Sequence, residues 1–193
     1  AELAERIGLF RLAPADSWRR LRGLPRSALG MSIAHASLGI LVAGVTAASA
    51  WQQERVLIMK PGDVTELAGY GFTLQGVGTV AGPNYQALRA EIAVISGGRE
   101  IATLLPERRL YGVQQRQTTE AAIHTTWFAD LYAVIGDQDG EGWTVRLYHN
   151  PLAPWIWIGA TLCVLGGLVS LSDRRHRVGA PSRLRGLAPA AAE

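Results

Sequence analysis

A single cysteine, Cys163, stands in 193 residues, which excludes a disulfide framework. Histidine is nearly as scarce: His35, His124, His149 and His176 are the whole set, and no Cys/His cluster has the spacing of a zinc site. Charge is also thin. Asp, Glu, Lys and Arg make up 18% of the chain, against about a quarter in an ordinary soluble domain. What fills the space is apolar, 48% of residues, gathered in long runs that a disordered chain does not carry.

Two windows hold no Asp, Glu, Lys or Arg: residues 27–53, with His35 as the only ionisable group, and residues 147–172, with His149 near the start. A hydrocarbon core of about 30 Å takes roughly 20 helical residues to cross, so both windows suffice. The expected architecture is a membrane protein of mixed class, with two transmembrane α-helices flanking an all-β domain, either a sandwich or an open barrel. The expected boundaries are a cytoplasmic segment at 1–26, spans at 27–50 and 154–172, the β domain at 51–153 and a cytoplasmic tail at 173–193.

Charge sets the orientation. Residues 1–28 carry six arginines against Glu2, Glu5 and Asp16, a net +3. Residues 51–153 carry eight basic and eleven acidic groups, a net −3, and residues 173–193 carry five arginines against Asp173 and Glu193, again +3. Basic residues close to a span stay in the cytoplasm. Arg19, Arg20, Arg22 and Arg26 precede the first span, and Arg174, Arg175 and Arg177 follow the second. Both ends are therefore expected inside and the acidic middle outside. The competing reading, a signal peptide cleaved after Ala48-Ser49-Ala50, meets an apolar stretch too long for such a core and preceded by too many residues.

Leu3, Ile7 and Phe10 fall at helical spacing, which reads as an interfacial helix or the end of an earlier element. Pro25-Arg26-Ser27 reads as the entry to the first span, and Trp51 as its outer aromatic anchor. Within the outer region, strands are expected at 56–59, 70–75, 88–96, 100–105, 111–115, 131–135 and 143–148. Pro61-Gly62-Asp63, Gly82-Pro83-Asn84, Gly97-Gly98 and the Asp/Gly-rich stretch 137–142 punctuate them. One helical turn is expected at 118–123. Trp155 and Trp157 fit the outer belt of the second span, and Gly159, Ala160, Gly166 and Gly167 offer it a small-residue face. Cys163 reads as a small apolar residue of that span, and the Ala/Pro-rich stretch 179–193 as a disordered tail.

His35 is the residue with chemistry. An ionisable side chain inside a span is costly and faces a bundle interior or a cavity, so function is the first hypothesis. Imidazole ligates haem iron, and a flat apolar porphyrin suits a space between helices. Gly39, one turn on, removes bulk from the same face, and Ser32 lies about one turn before. The alternative is a histidine hydrogen-bonded to a neighbouring helix. His124 falls in a polar loop, His149 at the outer interface and His176 in the basic cluster 173–177; none of the three pairs at metal-ligand spacing.

The segment Gly30-Met31-Ser32-Ile33-Ala34-His35-Ala36-Ser37-Leu38-Gly39 resembles that of the cytochrome c-type biogenesis CcmF family. So do Pro61-Gly62-Asp63, Gly82-Pro83-Asn84-Tyr85, Leu105-Pro106-Glu107-Arg108-Arg109 and the stretch 118–123, in that order. Asp130-Leu131-Tyr132, Trp143-Thr144-Val145-Arg146, Trp155-Ile156-Trp157, Gly166-Gly167-Leu168 and Ser172-Asp173-Arg174-Arg175 continue the match to the last third of that family. The resemblance implies the membrane core of a bacterial haem lyase. Such a subunit takes haem from a periplasmic haem chaperone and joins it to the C-x-x-C-H cysteines of apocytochrome c. It also implies that His35 is an axial ligand of a haem b in the inner membrane, which passes electrons from quinol to incoming haem. The implied partners are the haem chaperone, the apocytochrome-holding subunit and apocytochrome c.

Departures from the family are expected to matter equally. Its tryptophan-rich haem-handling segment, its two periplasmic ligand histidines and its other axial histidine lie upstream of the residues matched here. Trp155-Ile156-Trp157 is not that segment, and His124, His149 and His176 do not correspond to those ligands. The missing initial Met agrees with a fragment, and these residues alone are not expected to catalyse attachment. Two rivals from other classes are a membrane-tethered β module that binds a protein without cofactor, and a transporter or part of one.

Overall fold

The computed structural model describes residues 11–113 and 115–173. Most of the amphipathic stretch 1–13, the tail 179–193 and the cluster of Arg174, Arg175, His176 and Arg177 lie outside those residues. Among the described residues two compact units emerge, residues 11–38 with 161–173, and residues 39–160.

In the first unit, helix α1 (Pro14–Arg22) opens on a proline, whose missing N–H costs nothing in a first helical turn. Asp16 lies in that turn and Arg19, Arg20 and Arg22 in the last, so both ends suit the helix dipole. Pro25 then turns the chain into helix α2 (Arg26–Ala50), apolar on all sides; helix α3 (Ala153–Leu171) is the second apolar helix. Both are long and apolar enough to cross a membrane. At about 1.5 Å per residue they measure roughly 37 Å and 28 Å. Small residues let backbones approach: a Cβ on Gly166 would lie 2.7 Å from the Ala34 nitrogen, whereas one on Gly167 would meet nothing within 4 Å. Ser37, almost fully buried, bonds back to the Ala34 carbonyl, so its hydroxyl is satisfied within the helix.

The second unit holds the remaining halves of both helices and ten strands: β1 (Gln53–Met59), β2 (Val64–Leu67), β3 (Tyr70–Ala81), β4 (Tyr85–Ser96), β5 (Arg99–Leu104), β6 (Glu107–Tyr111), β7 (Arg116–Glu120), β8 (Ala122–Thr125), β9 (Ala129–Asp139) and β10 (Gly142–Pro151). One sheet runs β1-β10-β9-β8 and the other β2-β3-β4-β6-β7, with β5 also paired to β4. All pairings are antiparallel. Alternation along β9 and β10 sends Leu131, Ala133, Ile135, Val145 and Leu147 into a core shared with Phe72, Leu74, Ile92 and Val94 from the other sheet. Close approach recurs at the helices here: a Cβ on Gly159 would stand 2.6 Å from the Leu41 nitrogen, and one on Gly44 2.9 Å from that of Ile156.

The fold class is as the sequence suggested, but several local expectations are corrected. The expected strand at 143–148 extends to Pro151 as β10, and the second apolar helix starts at Ala153, one residue before the expected span. The helical turn expected at 118–123 is instead β7 and β8, because Arg116–Glu120 pairs with β6 and Ala122–Thr125 with β9. The strand expected at 111–115 lies earlier, at Glu107–Tyr111. The strand expected at 70–75 runs on: past a bulge between Leu74 and Gly76, Gly76 and Gly78 pair with Glu91 and Arg89 of β4. Val64–Leu67 is an additional strand, closed against β3 by the positive-φ pair Ala68 and Gly69.

Candidate functional site

His35 lies on a side of α2 that no described residue covers. Its Nδ1 is 2.8 Å from the Met31 carbonyl oxygen, one turn back. A carbonyl only accepts, so Nδ1 carries a hydrogen, and in the neutral ring Nε2 keeps its lone pair. This is how a metal-ligating imidazole is commonly oriented. Met31, Leu38, Val42 and Val45 are exposed along the same helix, and apart from the adjoining helix backbone nothing lies within 4 Å of where a Gly39 Cβ would stand. The donor chemistry and the open surface are compatible with a residue that would hold haem iron. The structure places Ser32 half-buried. Among the described residues, no group of three or more His, Cys, Asp or Glu assembles into a metal cluster.

Among the described residues, the other two histidines occupy strands. His124 lies in β8 and His149 in β10, so His149 is a sheet residue and not part of the span. Its ring sits 6.0 Å from that of Tyr70, its Nδ1 is buried without a hydrogen-bond partner, and burial holds its pKa below the ordinary histidine value.

The short motifs of the β domain have structural explanations. Glu107 is buried between two guanidiniums, with Arg109 Nε at 2.7 Å and Arg89 Nε at 2.6 Å. The bond from Arg109, foremost, and those from Arg89 hold its carboxyl below the usual range despite burial. The Arg109 guanidinium lies 4.6 Å from the centre of the Tyr85 ring, and Tyr85 meets Tyr111 at 5.5 Å. Tyr85 folds back over Gly82, leaving no room for a side chain there. In the Pro61-Gly62-Asp63 turn, the Lys60 amide donates to Asp63 Oδ2 at 2.8 Å and Gly62 takes a φ of +96°.

Two features escape motif reading. At the helix end of the domain, Trp155 Nε1 donates to the Trp127 carbonyl at 3.1 Å, and the Leu152 amide to that of Phe128 at 2.6 Å. This brings the β8–β9 loop beside α3. On the outer face of the four-stranded sheet, a groove of about 600 Å³ has Tyr132, Arg146 and Tyr148 in its floor and Arg108, Gln117 and Thr119 along one side. Strict alternation within 143–148 could have placed Arg146 and Tyr148 together, but nothing local places Arg108 beside them.

Residues 50–151, more than half of the chain, match the family described as CcmF C-terminal beta-sandwich. The chain belongs to the CcmF family. Among CcmF-family relatives, the cytochrome c-type biogenesis protein CycK of Bradyrhizobium diazoefficiens is 43% identical over 185 residues, 95% of this chain and 28% of that protein. The cytochrome c-type biogenesis protein ccl1 of Rhodobacter capsulatus is 47% identical over 188 residues, 93% of this chain and 29% of that protein. A solved structure titled Cytochrome c Heme Lyase CcmF shares the fold with a TM-score of 0.66 and 19% identity, across 89% of this chain and 28% of the other. The chain therefore spans under a third of the length of the CcmF relatives it matches. The CcmF assignment covers the β-sandwich and the two apolar helices.

Proposed function

We propose that the chain forms the carboxy-terminal part of a bacterial cytochrome c haem lyase subunit, in which His35 supplies one axial ligand to a haem b within the inner membrane. The bond from His35 Nδ1–H to the Met31 carbonyl carries this reading, because it leaves Nε2 as a lone-pair donor on an uncovered helix face. When bound, such a haem supplies one-electron reduction of incoming haem ahead of thioether attachment to apocytochrome c. Within this chain, Met31 fixes the tautomer and orientation of the imidazole, and Gly39 keeps the surface clear one turn on.

The +3, −3, +3 distribution of charge supports cytoplasmic ends and a periplasmic β domain at 51–153. That domain is then available to the haem chaperone, the apocytochrome-holding subunit and apocytochrome c. The test is the reduced-minus-oxidised spectrum of the full-length protein. His35→Ala should lower haem content, and added imidazole should restore part of it, while His124→Ala and His149→Ala should leave it unchanged. Unaltered haem content and reduction potential in His35→Ala would remove this residue from the mechanism.

A further inference from the structure

The groove on the four-stranded sheet borders an unfinished ladder. β9 spans Ala129–Asp139, but β8 pairs with it only from Asp130 to Ala133. Residues 134–139 therefore have β10 on one side and, among the described residues, no strand on the other. β7, whose Gln117 and Thr119 line the groove, is itself the last strand of the other sheet. Chain that is continuous from β7 through Ala121 to β8 joins one sheet to the other, and beyond it β7 pairs with β6 and not with β9. An open edge of this kind accepts an extended chain by backbone hydrogen bonding.

The side chains add a charge preference. Arg108, Asp137 and Arg146 are the ionisable acids and bases of strong charge lining the groove, a net positive site in a region whose overall charge is −3. Arg146 is exposed and makes no ion pair among the described residues; Glu54, diagonal to it across β1 and β10, does not pair with it. Arg108 is only 20% exposed and is held by Gln117 at 3.0 Å and by Asp137, whose own carboxylate is 83% exposed. Asp137 is thus the exposed counter-ion of Arg108 at this edge. Tyr132 and Tyr148, edge to face at 5.4 Å, give the floor an apolar, hydrogen-bonding surface.

We propose that this groove docks an extended polypeptide segment of a partner protein that carries an acidic side chain. Its backbone adds to β9 at residues 134–138, and its carboxylate sits between Arg146 and Arg108, displacing Asp137. A strand added there stands about 4.8 Å from β9, which brings its side chains on this face within reach of a guanidinium one strand further in. The inference is independent of haem ligation by His35.

The test uses the full chain in lipid nanodiscs and fluorescently labelled seven-residue peptides of alternating Thr and Val with Asp at two same-face positions, read by anisotropy. Arg146→Gln should weaken binding at least tenfold, as should Asp→Asn in the peptide. Arg99→Gln, on exposed β5, should change it less than twofold. N-methylation of alternate peptide amides should abolish binding, and the Asp peptide should slow amide exchange at residues 134–138. Equal binding of the Asn or N-methylated peptide overturns the proposal, as does an effect of Arg99→Gln equal to that of Arg146→Gln. Competition by free succinate at the peptide's own affinity overturns it in favour of a small-acid site, and no binding by any Asp peptide overturns it outright.

Discussion

The Ser27 amide donates to Asp173 Oδ2 at 3.0 Å, so the residue two positions beyond α3 caps the first turn of α2. The carboxylate satisfies an N–H that has no partner within its own helix and meets the positive end of the helix dipole. The Ser170 hydroxyl reinforces the join by donating to the Ser27 carbonyl at 3.4 Å. Removing the cap with Asp173→Ala should cost about 1 kcal/mol, seen as a lower unfolding midpoint in detergent, while Asp173→Asn should retain most of it.

Glycines at the helix contacts should separate by position. Gly159→Ala and Gly166→Ala place a methyl against backbone, at 2.6 Å from Leu41 and 2.7 Å from Ala34, and should each destabilise by about 1–3 kcal/mol. Gly167→Ala meets open space and should be neutral or slightly stabilising. Unfolding of all three variants in one detergent series compares them; equal midpoints would contradict the packing.

The Glu107 cluster gives a pH dependence of known sign. The folded-state pKa lies below the ordinary glutamate value of about 4.5, chiefly through the Arg109 hydrogen bond and then Arg89. An unfolded chain therefore takes up this proton first as pH falls. The stabilisation is complete above about pH 4.5 and is lost as pH drops through the folded value. Glu107→Gln should lower stability by about 2 kcal/mol at neutral pH and flatten the acid limb of the stability profile, measured by thermal denaturation between pH 3 and 7.

Gly39 tests the haem reading without touching the ligand. If the cofactor rests on this face, Gly39→Leu should reduce haem content of the full-length protein by steric conflict, and imidazole should not restore it. Restoration equal to that of His35→Ala would place the defect at ligation instead.

The orientation proposed from the charge distribution is checked by reporter fusions. A fusion after Pro106 should be active only outside the cytoplasm, and one after Arg26 only inside. Cytoplasmic activity at Pro106 would reverse the assignment.

Composition alone determined the two apolar helices, because roughly 20 consecutive residues without Asp, Glu, Lys or Arg have one stable solution in a bilayer. It also isolated His35, the only ionisable group in residues 27–53, and marked the turns at Pro61-Gly62-Asp63 and Gly97-Gly98, where backbone preference is local. Strand extents were beyond it. β3 continues through Gly76 and Gly78 because β4 completes their ladder, and residues 118–123 are strand because β6 and β9 supply partners on either side of Ala121. Pairing across distant sequence, not propensity, decides such segments. For the same reason only the tertiary structure buried Glu107 between Arg89 and Arg109, and brought Arg108 of β6 beside Arg146 of β10 on one groove. Electrostatic partners drawn from different strands have no spacing to betray them.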